Sequence, residues 1–339
     1  MSLAFQLAKP LLHKLDAEQA HGLTIKALKL APRGNSGPIT STHLKTKVFG
    51  LEFPNPVGLA AGFDKNAEVP DAMLAMGFGF VEIGTVTPRP QSGNAKPRLF
   101  RLSADQAVIN RMGFNNEGHA KVLQRLINRQ KNGGIVGVNI GANKDADDRV
   151  ADYVLGLKVF SAVASYITIN ISSPNTPGLR NLQGKQDLQR LLEKLNAART
   201  TKTPMLLKIA PDLTTEDLQD IADCCQGGSV DGVIISNTTL LRENLQSSHA
   251  TEQGGLSGAP LFAKATQVLG DFHQISGGKI PLIGVGGISD ETTALAKFKA
   301  GASLVQLYSA LVYQGPQLVK DICRGLDAEF SKRQRHQKG

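Results

Sequence analysis

Between Asn55 and Ser309 the chain alternates short apolar, β-branched runs with amphipathic helical patterns about eight times, and this alternation restricts the possible folds most. The strand candidates are Val57–Ala60, Phe80–Gly84, Ile135–Asn139, Tyr166–Asn170, Met205–Ile209, Asp231–Ser236, Ile280–Val285 and Ala302–Tyr308. Helical patterns include Asn116–Gln130, Asp148–Ala164, Thr215–Cys225 and Asp290–Ala300. The expected class is α/β, a (β/α)8 TIM barrel with an N-terminal helical extension, because a doubly wound open sheet ordinarily needs fewer parallel strands. The expected division is residues 1–40 for the helical extension and 41–339 for the barrel.

In such a barrel the C-terminal strand ends form the active-site rim. Here they carry Ala61-Gly62-Phe63-Asp64-Lys65, Gly84-Thr85, Asn139, Asn170, Lys208, Ser236-Asn237-Thr238, Gly286-Gly287 and Tyr308-Ser309. After Tyr166–Asn170 the loop holds Ser172, Ser173, Asn175 and Thr176, whose amides and hydroxyls can bind a polar ring or pass a proton. Taken alone, that loop reads as a turn with side-chain to backbone bonds, Lys65 and Lys208 as solvated charges, and Gly284-Val-Gly-Gly287 as a tight turn. The connection from Pro88 to Asn115 is long and contains an apparent hairpin, a common form of active-site insertion.

The 339 residues are 41% hydrophobic, enough for a large core, and carry a net charge of +9, which suits phosphorylated ligands, nucleic acid or an anionic membrane. Three cysteines, Cys224, Cys225 and Cys323, have no zinc or iron–sulfur spacing, so reduced thiols in a cytosolic setting and no metal are expected. No apolar run approaches the roughly 18 residues of a spanning helix, and no signal-peptide pattern precedes the first helix.

Residues 2 to about 31 read as two helices parted at Leu15-Asp16, with Asp16 as N-cap, Gln19 at the capping-box position, and Pro32, Gly34 and Gly37 ending the second. Leu3, Phe5, Leu7, Leu11 and Leu12 make the first amphipathic, Leu23, Ala27 and Leu30 the second, with Lys9, Lys14, Lys26, Lys29 and Arg33 around them. By itself such a pair packs on the main domain more often than on a bilayer. Residues 35–43 read as a linker, Val48 to Phe53 as a hairpin, and Lys332 to Lys338 as a mobile polar tail.

Ten ordered motifs carry a family resemblance: Gly58 to Lys65, Glu82 to Gln91, Lys96 to Arg101, Asn110 to Asn116, Asn170 to Arg180, Lys208 to Asp212, Ser236 to Thr239, Gly254 to Gly258, Gly284 to Gly287 and Gly301 to Ser309. On these the sequence resembles the dihydroorotate dehydrogenases, specifically the quinone-using, membrane-associated class 2 of bacteria. Phe63 stands where Leu is common and Ser236 where Thr is common; neither change removes a needed chemical group.

The resemblance implies one FMN per chain and oxidation of (S)-dihydroorotate to orotate in pyrimidine (UMP) synthesis, with a proton leaving C5 and a hydride passing from C6 to flavin N5. It implies Ser173 as the base, in place of the cysteine of class 1 relatives, with Thr176 and a water as relay and Phe114 closing the path. The substrate set it implies is Lys65, Asn110, Arg111, Met112, Gly113, Phe114, Asn170, Asn175, Asn237 and Thr238. For the cofactor it implies Ala61, Gly62, Phe63, Asp64, Lys65, Thr85, Asn139, Asn170, Lys208 and Ser236, with Gly258, Gly287, Tyr308 and Ser309 at the phosphate. It further implies quinone access, to ubiquinone or menaquinone, past His21, Arg101 and Tyr308, and a monomer held through its N-terminal helices at the cytoplasmic face of the inner membrane, without nucleic acid. Against this stand a tRNA dihydrouridine synthase, whose acid cysteine has no counterpart at the rim, a Schiff-base aldolase using Lys208, which leaves the Asn-rich rim unexplained, and a non-catalytic membrane module, which leaves the complete rim unexplained.

Overall fold

The computed structural model describes residues 3–30 and 37–336. Two helices come first, α1 (Leu3–Lys14) and α2 (Ala17–Leu30). The strands are β1 (Thr46–Val48), β2 (Leu51–Phe53), β3 (Val57–Leu59), β4 (Phe80–Val86), β5 (Leu99–Leu102), β6 (Ala107–Asn110), β7 (Ile135–Ile140), β8 (Tyr166–Asn170), β9 (Met205–Ile209), β10 (Gly232–Ile235), β11 (Gly255–Gly258), β12 (Leu282–Val285) and β13 (Leu304–Leu307). The helices after α2 are α3 (Pro70–Ala75), α4 (Gly118–Arg129), α5 (Arg149–Phe160), α6 (Lys185–Ala198), α7 (Thr215–Cys225), α8 (Phe262–Ile275), α9 (Glu291–Lys299), α10 (Ser309–Gln314) and α11 (Gln317–His336).

Eight parallel strands close a barrel in the order β10-β12-β13-β3-β4-β7-β8-β9, the (β/α)8 architecture expected from the sequence. Its strands are covered on both faces, which is why they read as unbroken apolar runs; every residue of β4, β8 and β9 is buried. Local chemistry sets the helix starts: Asp148 accepts from Ala151 N ahead of α5, and capping boxes at Thr214/Asp217 and Asp290/Thr293 open α7 and α9. The β1–β2 hairpin closes the lower end, where Phe53 meets Phe80 edge-on at 5.1 Å and Phe80 meets Tyr166 at 6.3 Å. Gly58 and Gly137 make room for this aromatic layer, since a Cβ there would lie 2.3 Å and 2.1 Å from the Phe80 and Tyr166 rings.

The long insertion does contain a hairpin, β5–β6, but the sheet has a third strand that the sequence did not announce. That strand is β11, whose Gly-Leu-Ser-Gly composition reads as a turn and which is held extended only by antiparallel pairing with β6.

Asp16 Oδ1 accepts from Glu18 N and Gln19 N, both at 3.0 Å, and so caps α2 as expected. Pro32, Arg33 and Gly34, and the side chain of Leu3, lie outside the described residues. Glu18 grips Arg98 with both oxygens, at 2.7 and 3.0 Å, which ties α2 to the insertion. Arg101 donates to the carbonyls of Leu12, His13 and Leu15 at the end of α1. The polar tail is not a loose end as far as it is described, because α11 runs to His336 and Arg333 pairs with Glu329 at 3.4 Å one turn earlier.

Candidate active site

The strand ends and the inner faces of α1 and α2 enclose one cavity of about 490 Å³. Of the sequence candidates, Ala61, Gly62, Phe63, Lys65, Thr85, Asn110, Met112, Gly113, Phe114, Asn170, Ser173, Asn175, Lys208, Ser236, Asn237, Thr238, Gly258, Gly287, Tyr308 and Ser309 line it, together with His21 and Arg101. Four candidates do not: Asp64, Asn139, Arg111 and Thr176.

The four are absent for different physical reasons. Asp64 turns back into its own loop, where its carboxylate accepts from Asn66 N, Glu68 N and Val69 N; burial pushes its carboxyl up, against those three donors. Asn139 sits one layer below the surface, between Thr85 Oγ1 at 2.5 Å and Glu82 Oε1 at 2.8 Å. Arg111 points outward to Glu252 at 2.7 Å and lies 4.6 Å above the Phe100 ring. Thr176 is buried beside the cavity.

A continuous polar network orients the rim. Asn170 Nδ2 donates to Thr85 Oγ1 at 2.9 Å and to Asn139 Oδ1 at 3.1 Å, while its Oδ1 accepts from Ser172 Oγ at 2.9 Å. Asn237 Nδ2 donates to Ser172 Oγ at 2.9 Å, and Asn175 Nδ2 reaches Asn110 Oδ1 at 3.3 Å. Beneath them Glu82, fully buried, also accepts from Tyr166 OH at 3.1 Å and Gln306 Nε2 at 2.9 Å. Arg180 fastens three loops together, donating to Ser172 O at 3.0 Å and Thr238 O at 2.9 Å and pairing with Asp212 at 2.9 Å. Neither Glu82 nor Arg180 was a sequence candidate; each stands at the end of a family motif, Glu82–Gln91 or Asn170–Arg180, and that was the only signal available.

Within this framework a few side chains at the cavity keep bonding capacity to spare. Lys208 Nζ makes no hydrogen bond or ion pair among the described residues, and burial lowers its pKa, partly opposed by Glu82. Thr238 Oγ1 is buried without a partner against Gly255, where a Cβ would come within 1.9 Å of it. Lys65 lies deep in the protein, open only to the cavity; burial brings it down to about 8, Glu18 opposes that and Arg98 adds to it, and its Nζ holds Gly62 O at 2.7 Å. Ser173 Oγ accepts the Asn175 N–H at 3.3 Å. The cavity thus has a cationic, amide-rich end and, beside β12 and β13, an end made of glycine backbone. Burial, with Lys65 nearby, takes His21 down to about 3, so it stays neutral; it meets Phe63 edge-on at 5.3 Å, and Phe63 meets Tyr308 at 5.6 Å.

A closed α/β barrel whose strand ends converge on one deep, polar-lined cavity is an enzyme scaffold with its active site in the usual place. The dihydroorotate dehydrogenase family profile matches residues 43–330, and the chain belongs to that family. The relative from Parvibaculum lavamentivorans, named dihydroorotate dehydrogenase (quinone), is 58% identical over 328 residues, covering 96% of this chain and 94% of the relative. The protein of that name from Brucella anthropi is 57% identical over 334 residues, covering 96% and 92%. Among solved structures, the Eimeria tenella enzyme in complex with ferulenol superposes with a TM-score of 0.89 at 37% identity over 95% of each chain, and its ligand-free form with 0.88 at 38%.

Proposed function

We propose that this chain is a quinone-linked dihydroorotate dehydrogenase that uses one FMN and takes the C5 proton of (S)-dihydroorotate with Ser173. The single observation that carries the reading is the polarity of the cavity: Lys65, Asn110, Asn175, Asn237, Thr238 and Ser173 crowd one end, glycine backbone forms the other, and Lys208 stands unpaired on the wall. FMN fits this chemistry, because Lys208 lacks a partner and can meet an anionic ring edge, while Gly258, Gly286 and Gly287 put backbone without side chains on the wall where a phosphate would sit.

Bound FMN supplies a two-electron acceptor that reacts with the substrate and then with a quinone. Lys65 and the amides of Asn110, Asn175 and Asn237 hold the substrate carboxylate and ring amides, with Thr238 adding its free hydroxyl. Arg111, Met112 and Gly113 shape that pocket, Arg111 by bracing the loop from outside through Glu252. The Asn175 N–H directed at Ser173 Oγ favours negative charge on that oxygen, which an unaided serine base lacks. Thr176 and a water take the proton onward, and Phe114 covers the route. Lys208 would place its charge against the anionic edge of the flavin, and Ala61, Gly62, Phe63, Thr85, Asn170 and Ser236 would hold its rings. Asn139 and Asp64 act from behind, one through Thr85 and the other through its loop. Gly258, Gly287, Tyr308 and Ser309 would take the phosphate.

The extension over residues 1–40 serves as membrane contact and quinone port, past His21, Arg101 and Tyr308. Its inner face, including Leu12, Ala20 and Leu28, lines the cavity mouth, and its outer face leaves Leu7, Leu11, Leu23 and Leu30 exposed beside Lys14, Lys26 and Lys29. Among the described residues no helix is long and apolar enough to cross a membrane; on this reading the protein sits peripherally, as a monomer on the cytoplasmic face of the inner membrane.

Anaerobic stopped-flow absorbance tests both half-reactions: dihydroorotate should bleach the flavin band rapidly and a short-chain ubiquinone restore it. Deleting residues 1–36 should spare the bleaching and slow the recovery. Bleaching without recovery in the intact protein would remove the quinone assignment, and no bleaching with flavin bound would remove the dehydrogenase.

A further inference from the structure

Lys297 on α9 is fully buried, and its Nζ is without a hydrogen-bond partner. No acidic side chain among the described residues is within ion-pair distance of it; its close neighbour is the Phe262 ring, whose centroid lies 5.2 Å from Nζ. Burial alone lowers its pKa to about 7. A lysine in that position is unusual, since buried charges are normally paired.

Its surroundings lead to the glycine end of the cavity. A Cβ on Gly284 of β12 would lie 3.0 Å from Lys297 Cβ, so the side chain runs along the outside of that strand. Phe262, under Nζ, is the first residue of α8, and its backbone N and Cβ would lie 2.7 and 2.4 Å from a Cβ on Gly287. Lys297, the first turn of α8 and Gly287 are therefore stacked in sequence from the barrel exterior toward the cavity. The N-terminal turn of a helix carries partial positive charge, and a buried ammonium beside it adds like charge unless an anion is present. An anion seated against Gly287 removes both penalties.

We propose that Lys297 is a positioning residue for the phosphate end of the cofactor, supplying positive charge from behind the first turn of α8 without touching the ligand. The proposal rests on the FMN reading above and adds to it a residue outside the cavity wall. The charge acts on a dianion and not on the isoalloxazine, so riboflavin, which lacks the phosphate, is the internal control.

The test is equilibrium binding of FMN and of riboflavin to deflavinated wild-type protein and to Lys297→Met, followed by quenching of flavin fluorescence, with the thermal midpoint of each apo-protein recorded. Lys297→Met should weaken FMN binding by about tenfold, leave riboflavin affinity unchanged, and keep or raise the apo midpoint. Equal losses for the two flavins would show a packing role and overturn the proposal, as would no loss for either. If the methionine variant does not fold, Lys297→Gln takes its place with the same outcomes. A wild-type protein that binds riboflavin as tightly as FMN would instead overturn the phosphate reading, and this proposal with it.

Discussion

Asn170 at the barrel rim gives both amide hydrogens to its neighbours, Thr85 on the rim at 2.9 Å and Asn139 beneath it at 3.1 Å, whereas Leu7 and Leu11 on the first helix leave 69% and 67% of their surface uncovered. The rim is closed on itself: its side chains are oriented by one another, and Lys208 Nζ is left without a partner among the described residues. The helix pair has the opposite construction. Its inner face is anchored by Glu18–Arg98 and by Arg101 on the α1 carbonyls, and its outer face leaves Leu7, Leu11, Leu23 and Leu30 uncovered, with Lys29 paired to Glu68 at its edge. On the proposed function, the difference is that between a region built to hold small molecules to within fractions of an ångström and one built to meet a fluid surface of no fixed geometry.

Four measurements press on that contrast. Ser173→Ala should slow flavin reduction by dihydroorotate by about 10²–10⁴-fold with the flavin retained, since a single positioned base is lost from an otherwise intact rim; a wild-type bleaching rate would exclude Ser173 as the base. On the other region, Leu7→Glu combined with Leu11→Glu should lower co-sedimentation with anionic vesicles by about tenfold to a hundredfold, while the rate of reduction by dihydroorotate stays as it was. Unchanged vesicle binding would mean that the uncovered leucines are not the contact.

A smaller effect is expected from pH. Burial holds Lys65 down to about 8, so the cation proposed to meet the substrate carboxylate is present below that pH and lost above it. The value of kcat/KM for dihydroorotate should fall by about tenfold per unit once pH exceeds that value; a flat profile to pH 9.5 would remove Lys65 from substrate binding. The smallest effect concerns the hinge between the regions. Glu18→Gln should loosen α1 and α2 by about 1–3 kcal/mol, visible as faster amide exchange in residues 17–30 with the barrel unaffected. Hydrogen bonding to Arg98 keeps the Glu18 carboxyl below its ordinary range. Its stabilisation is therefore present above that ordinary range and is lost as pH falls through the lowered value, so acid should reproduce the variant. Equal protection in variant and wild type would show that Arg98 does not anchor the pair.

Most of the barrel was legible because its signals are local. Tyr166–Asn170 and Met205–Ile209 were found to the residue, since strands buried on both faces leave apolar runs bounded by polar or glycine-rich ends. Thr215–Cys225 was found likewise from its helical pattern, and the structure adds the capping box that starts it. β11 was not legible, because four residues of Gly-Leu-Ser-Gly carry no strand signal and become extended only against β6, more than a hundred residues earlier. At the site, a motif names a group of neighbours without saying which of them face inward. Phe63 and Lys65 line the cavity and Asp64 between them does not; Arg111 leaves while Asn110 and Met112 stay.

By itself the sequence determined the alternation of strands and helices, the caps that start the helices, the family, and the polar character of each strand end, because these depend on residue type and on spacing along the chain. Only the tertiary structure decided that Glu82 lies beneath Asn139 and Gln306, that Arg180 ties the loops after β8, β9 and β10, that Arg101 meets the end of α1, and that Lys297 is left alone behind α8. Each of these joins segments far apart in the chain. Such distances are set by barrel closure, which no local pattern encodes.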